Sequence, residues 1–195
     1  MGWSARFFFA IVLGSCLAAP AAAQDNDYFW ASGQLHAAVL SDIVDGSSTD
    51  IAFGAAATFG RRWPESQLGV YVQLDNSWWS EPFLASDESD DVFETDIQTS
   101  VNLAVGVEYL FWENQVRMSL SAGPTFLLLE TVVDSPGTVG MWFDIRPMGI
   151  RLPLTDAIWL AVDPLTFTIL LPDLSGIPLI LIHYRTALSV EFIIE

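Results

Sequence analysis

The side chains able to do chemistry are few and lopsided. The 195 residues hold seven arginines, no lysine, two histidines and 24 carboxylates, for a net charge of −17. Several of them fall at alternate positions inside otherwise apolar segments: Asp75, Glu108, Arg117, Asp144, Arg146, Asp163, His183, Arg185 and Glu191, together with the polar Gln34, His36, Tyr71, Gln73, Gln98 and Asn102. A lone charge in apolar surroundings costs several kcal/mol, so such groups must meet partners. The planar fork of arginine suits carboxylates better than the point charge of lysine does. Arg117, Arg146 and Arg185 are therefore expected to bond Asp75, Glu108, Asp144, Asp163 and Glu191 as one network.

Other chemistries are weaker. A Ser, His and carboxylate set would need His36 with Ser41 or Asp42, or His183 with residues of neighbouring segments, and no Gly-x-Ser-x-Gly nucleophile turn is present. The run Asp87, Glu88, Ser89, Asp90, Asp91, followed by Glu94 and Asp96, could offer hard oxygens to calcium. It lacks the spacing and glycine of an EF-hand, so a solvated acidic loop is the simpler reading. Cys16 is the only cysteine, which excludes disulfides and leaves no thiol chemistry once the leader is removed. Neither a metal nor a cofactor is expected, and the acidic balance speaks against nucleic acid as a partner.

The elements that must position these groups follow from hydropathy. Mean hydropathy is +0.41 and 52% of residues are hydrophobic. Outside the leader, no stretch approaches the roughly 20 apolar residues of a spanning helix. In a bilayer the backbone polar groups must pair internally, so only helices or closed barrels can span it. A barrel is what remains. The leader is residues 1–23: Arg6, an apolar run from Phe7 to Leu13 and the small-residue site Ala21-Ala22-Ala23 read as a secretory signal peptide. Leu13-Gly14-Ser15-Cys16 also resembles a lipobox, but the later site is the better match.

Residues 24–195 then form one barrel domain. Period-two segments predict eight strands, at Tyr28 to Leu40, Ile51 to Arg61, Gln67 to Trp78, Thr95 to Trp112, Gln115 to Thr131, Val139 to Leu152, Ala157 to Leu170 and Pro178 to Ile193. In the fourth, Leu103, Val105, Val107 and Tyr109 oppose Asn102, Ala104, Gly106 and Glu108; a slip of one residue would put the charges in lipid. Short connections follow strands two, four and six, longer ones follow strands one, three and seven, and the link from strand five to six is of middle length, close to the habit of outer-membrane barrels. Aromatics gather near strand ends, with Tyr28, Phe29, Trp30, Trp63, Phe111, Trp112 and Trp159 at one end and Trp78, Trp79, Phe83 and Trp142 at the other. That distribution predicts two interfacial girdles. Inward Gly54, Gly69, Gly106 and Gly123 would make room for the network. Pro124, Pro147 and Pro164 would each remove a ladder bond and are expected at bulges, the one at Pro147 letting Arg151 point inward.

From Tyr28 to Phe192 this pattern resembles the small eight-stranded outer-membrane barrels of the OmpA and OmpX type. The last strand, with Tyr184, Leu188, Val190 and Phe192 on one face, is similar to the signal by which such proteins engage the barrel-assembly machinery, although Ile193-Ile194-Glu195 follow the aromatic. The resemblance implies an all-β, closed, antiparallel up-and-down barrel in the bacterial outer membrane. It implies contact with outer-membrane lipid, a monomer, and a non-catalytic structural, small-solute or interaction role, with an interior too narrow for an open porin-like pore. Two alternatives carry different consequences: a soluble periplasmic lipocalin-like barrel would turn its aliphatic side chains inward around an apolar ligand, and a lipid-modifying barrel enzyme would need a histidine-centred site at its rim.

Overall fold

The computed structural model describes residues 27–42, 49–79, 96–130, 138–174, 177–178 and 180–194. Its long strands are β1 (Tyr28–Asp42), β2 (Thr49–Trp63), β3 (Leu68–Trp79), β4 (Asp96–Phe111), β5 (Val116–Glu130), β6 (Thr138–Pro153), β7 (Ile158–Leu174) and β9 (Leu181–Ile194), and a two-residue β8 (Ile177–Pro178) pairs with β7. Each long strand lies antiparallel to the next, and β1 pairs with β9, so eight strands close into an up-and-down barrel with no free edge. The proposed leader, with Cys16, and the acidic run from Asp87 to Glu94 lie outside the described residues.

Following partners from Tyr71 through Gly106, Ser121, Asp144, Thr168, His183 and Leu40 reaches Asp50, whose register on β3 lies beyond Trp79. The ring thus closes with a stagger, and tilted strands bring residues distant along the chain to one height.

Alternation is carried through to burial. Leu103 and Val105 are 50% and 67% exposed, whereas Asn102 and Ala104 between and beside them are 1% and 2% exposed. Leu35, Phe53, Val72, Leu120 and Leu188 likewise face outward, opposite buried Gln34, Gly54, Gln73, Ser121 and Ser189. The apolar stripe is therefore on the outside, the reverse of a lipocalin-like arrangement.

At one end, tight turns join the strands. Pro64–Ser66 form a single 3-10 turn, closed by Gln67 at φ 60° donating from its N–H to Pro64 O at 3.1 Å. Trp112, Glu113 and Asn114 all adopt left-handed φ, and Gln115 N–H returns to Trp112 O at 3.0 Å. Positive φ at consecutive central residues matches the right-handed twist of a hairpin. In the third turn Thr155 Oγ1 accepts from Ile158 N–H at 3.0 Å.

Three expectations about the wall need correcting. Register shifts fall between Ile145 and Ile150 and between Asp163 and Thr166, around Pro147 and Pro164, but none falls at Pro124, which pairs in register with Met141. Beside it, a Cβ on Gly123 would meet the backbone of Leu103 at 1.9 Å, so this glycine serves the close approach of β5 to β4 and not a lumen side chain. The girdles are also thinner than expected. Phe29, Trp78 and Trp112 are exposed, but Tyr28, Trp30, Trp142 and Trp159 are buried inside the barrel, and nothing is described for the side chains of Trp79 and Phe83.

Candidate functional site: the charged lumen

The inward row of each strand supplies one to three ionisable groups. Asp75 comes from β3, Glu108 from β4, Arg117 from β5, Asp144, Arg146 and Arg151 from β6, Asp163 from β7, and His183, Arg185 and Glu191 from β9; all are buried. β2 adds Arg62, which is 0% exposed. Among the described residues the lumen thus holds five arginines and five carboxylates, and the charge surplus of the chain lies elsewhere.

Near the turn end, Glu191 is the hub. It accepts Arg62 Nη1 at 2.8 Å, Arg151 Nε at 2.9 Å and Arg117 Nη1. The other faces of these forks are used as well. Arg62 binds Glu108 through Nε at 2.6 Å and Nη2 at 3.0 Å, and Arg117 binds Asp163 through Nε at 3.1 Å and Nη2 at 2.8 Å. Arg151 donates its Nη1 to the backbone of Asn114 at 2.7 Å. Such paired bonds to planar forks are the strong kind.

At mid-height Arg146 donates Nε to Asp144 at 2.8 Å and Nη2 to Gln73 at 2.7 Å, while Thr168 donates to the other oxygen of Asp144 at 2.9 Å. Toward the loop end, Arg185 Nη2 meets Asp75 Oδ2 at 2.9 Å, and Asn102 donates to Asp75 Oδ1 at 3.0 Å. His183 is buried on the same inward row as Arg185, opposite Thr168.

The inward aromatics explain themselves here. The Arg62 guanidinium lies 4.0 Å from the Trp30 ring centroid, Arg151 lies 4.5 Å from Trp159, and Arg185 lies 5.8 Å from Trp142. A guanidinium shielded from water gains most from a ring face. These three tryptophans therefore cap the ion pairs, whereas Trp78 and Trp112 stay on the outside. Space is made by glycine: a Cβ on Gly54 would strike His36 at 2.3 Å, one on Gly69 Glu108 at 2.6 Å, one on Gly106 Tyr71 at 2.3 Å and one on Gly149 Asp163 at 2.2 Å.

The expected second strand ends at Arg61, which leaves Arg62 to the turn. The even-numbered inward row of β2, through Gly54, Ala56, Thr58 and Gly60, reaches Arg62 if the strand is extended by one residue, and that parity was the available signal. Glu108 accordingly bonds Arg62, not one of the three arginines expected to share it. Arg151 is inward because the bulge at Pro147 switches β6 from even to odd inward positions, Arg146 to Gly149 and Arg151.

One cluster has the composition of a hydrolase site. His36 Nε2 lies 3.1 Å from Ser77 Oγ, and Asp75 Oδ2 lies 3.6 Å from His36 Nδ1. These partners differ from Ser41 and Asp42. The arrangement is closed to chemistry as it stands: Ser77 also donates to Asp75 at 3.3 Å, all three side chains are almost wholly buried, and Asp75 is already engaged by Arg185. A nucleophile needs room for a substrate carbonyl beside it. Among the described residues no group of three metal-ligating side chains is present.

Fold and interior together define a closed eight-stranded antiparallel barrel with its apolar side outward and its ion pairs inward. Its sequence matches no protein-family model and no curated protein. Its fold matches eight-stranded outer-membrane barrels. The crystal structure of Neisserial surface protein A (NspA) is 11% identical at a TM-score of 0.60, with 84% of this chain and 96% of that one covered. Ail, the attachment invasion locus protein of Yersinia pestis, is 10% identical at a TM-score of 0.52 over 88% of this chain and all of that one; a second Ail structure, in complex with the heparin analogue sucrose octasulfate, matches comparably.

Proposed function

We propose that this protein is a non-catalytic barrel of the bacterial outer membrane, with its tight turns, the start of β1 and the end of β9 on the periplasmic side and its lumen closed by the ion-paired network. The observation that carries the reading is the inversion of polarity: large apolar side chains stand exposed around the outside while five arginines and five carboxylates are buried within. Leaving so many aliphatic side chains in water would be costly, at about 25 cal/mol per Å² of apolar surface. In lipid the same surface is at home. The fold of NspA and Ail agrees with this placement. The arginine and carboxylate bonds fill a bore that eight strands make just wide enough for side chains, so the role is structural or one of interaction at the outer face, not conduction.

The Ail complex with a sulfated ligand does not carry over. Residues 43–48, 80–95 and 131–137, which join strands at the loop end, hold eight carboxylates and no basic residue, so a polyanion would meet repulsion there. The decisive experiment is extraction from membranes of the producing cell: retention through high-salt and alkaline washes with release by detergent is expected, and release by washing alone would overturn the assignment.

A further inference from the structure

We infer that Arg61 and Asp27 form a binding site for the headgroup of a zwitterionic phospholipid carrying a primary ammonium, on the outer wall of the barrel at its turn end. The inference rests on the membrane placement proposed above. Arg61 lies in an outward row that is otherwise apolar: its cross-strand neighbours are Phe29 and Val70, and the row continues to Ile194 on one side and Val107 on the other. These four are 42% to 54% exposed. Among the described residues it is the only basic side chain on the outside, Arg62, Arg117, Arg146, Arg151 and Arg185 being buried in the lumen.

A cation on the lipid-facing wall costs about 2–4 kcal/mol at mid-bilayer and about 0–1 near the interface, which fixes this end of β2 at headgroup level. Three aromatic side chains mark the same height. The Arg61 guanidinium lies 5.4 Å from the Phe29 centroid and 5.5 Å from that of Trp63, and Phe29 stacks on Phe59 at 5.9 Å. These rings hold the guanidinium against the wall and lie where acyl chains begin.

The polar pair itself selects the headgroup. Arg61 Nη2 donates to Asp27 Oδ2 at 3.0 Å, and the side chains are 44% and 46% exposed. A guanidinium has five N–H donors, so one bond to Asp27 leaves a face of the fork for a phosphodiester. Asp27 has a second carboxylate oxygen, which can accept from a cation that follows that phosphate. A phosphate joined by two carbons to an ammonium presents the complementary pair of charges. A phosphatidylglycerol headgroup offers the phosphate without the ammonium and leaves Asp27 unmatched beside a net anion.

The test uses the whole barrel in detergent micelles, with bound lipid counted by native mass spectrometry during titration with phosphatidylethanolamine, phosphatidylglycerol or diacylglycerol. The wild type is expected to retain phosphatidylethanolamine in preference to phosphatidylglycerol and to ignore diacylglycerol. Arg61→Gln should lower retention of both phospholipids roughly fivefold, the factor for one arginine near a lipid surface. Asp27→Asn should abolish the preference, so that phosphatidylethanolamine and phosphatidylglycerol are retained alike through Arg61. Both positions are exposed, so both variants should fold, as heat-dependent gel mobility will verify. Wild-type retention by Arg61→Gln, or an unchanged preference in Asp27→Asn, overturns the site. Competition by millimolar inorganic phosphate would assign the pair to free anions instead. A barrel that stays in solution without detergent refutes the membrane placement, whereas unaltered lipid retention by an inserted Arg61→Gln barrel refutes only this site.

Discussion

Replacing Glu191 by Gln removes one charge and hardly any volume, so its consequence is electrostatic and can be followed bond by bond. Three arginines converge on this carboxylate. Arg62 keeps Glu108 and Arg117 keeps Asp163, but Arg151 is left with a backbone carbonyl and the Trp159 ring and no carboxylate. The substitution therefore strands one buried guanidinium beside two others. Removing one partner of a buried ion pair costs about 3–5 kcal/mol. For a domain of this size about 1 kcal/mol lowers the Tm by roughly 2–4 °C, so a fall on the order of 10 °C is expected. The assay is thermal unfolding in detergent, followed by the loss of β-sheet circular dichroism and by gel mobility at one fixed scan rate, since membrane barrels often unfold irreversibly. Adding Arg151→Met to Glu191→Gln should recover much of the loss, because the orphaned cation is then gone and Met fills its space. A Glu191→Gln protein that melts within about 2 °C of wild type, or a double variant less stable than the single one, would refute the hub reading.

Other consequences can be checked separately. Arg185→Ala should lower heat resistance by less than Glu191→Gln, since Asp75 keeps Asn102, Ser77 and His36 as neighbours, and an unaltered melting temperature would contradict the pairing. Brominated acyl chains should quench the fluorescence of Trp78 and Trp112 but not of Trp30, Trp142 or Trp159 in single-tryptophan variants; quenching of Trp142 would contradict its inward position. Gly149→Val should destabilise the barrel by about 1–3 kcal/mol, as its side chain would displace Asp163 from Arg117, and normal stability would show that the bulged wall yields. His36→Ala and His183→Ala should leave the lipid profile of the producing cell unchanged, and an altered profile would reopen the enzymatic reading.

How far the sequence reaches depends on the range over which each feature is decided. Alternation is local: a strand sends neighbouring side chains to opposite faces, so Leu103 and Val105 were separable from Asn102 and Ala104 before any fold was known. The absence of a spanning helix, combined with high hydropathy, then left a closed sheet as the way to pair every backbone group. The switch of parity at Pro147 was legible too, because a missing N–H is a property of one residue. Partner choice was not. Arg62 and Glu191 meet across 129 residues, and which inward groups share a height is set by the stagger accumulated around the ring, a quantity no single strand contains. The same holds for the tryptophans at the strand ends. Their parity with Gln34, Asp144 and Asp163 already pointed Trp30, Trp142 and Trp159 inward, but only closure of the barrel decided which buried guanidinium groups their ring faces would meet.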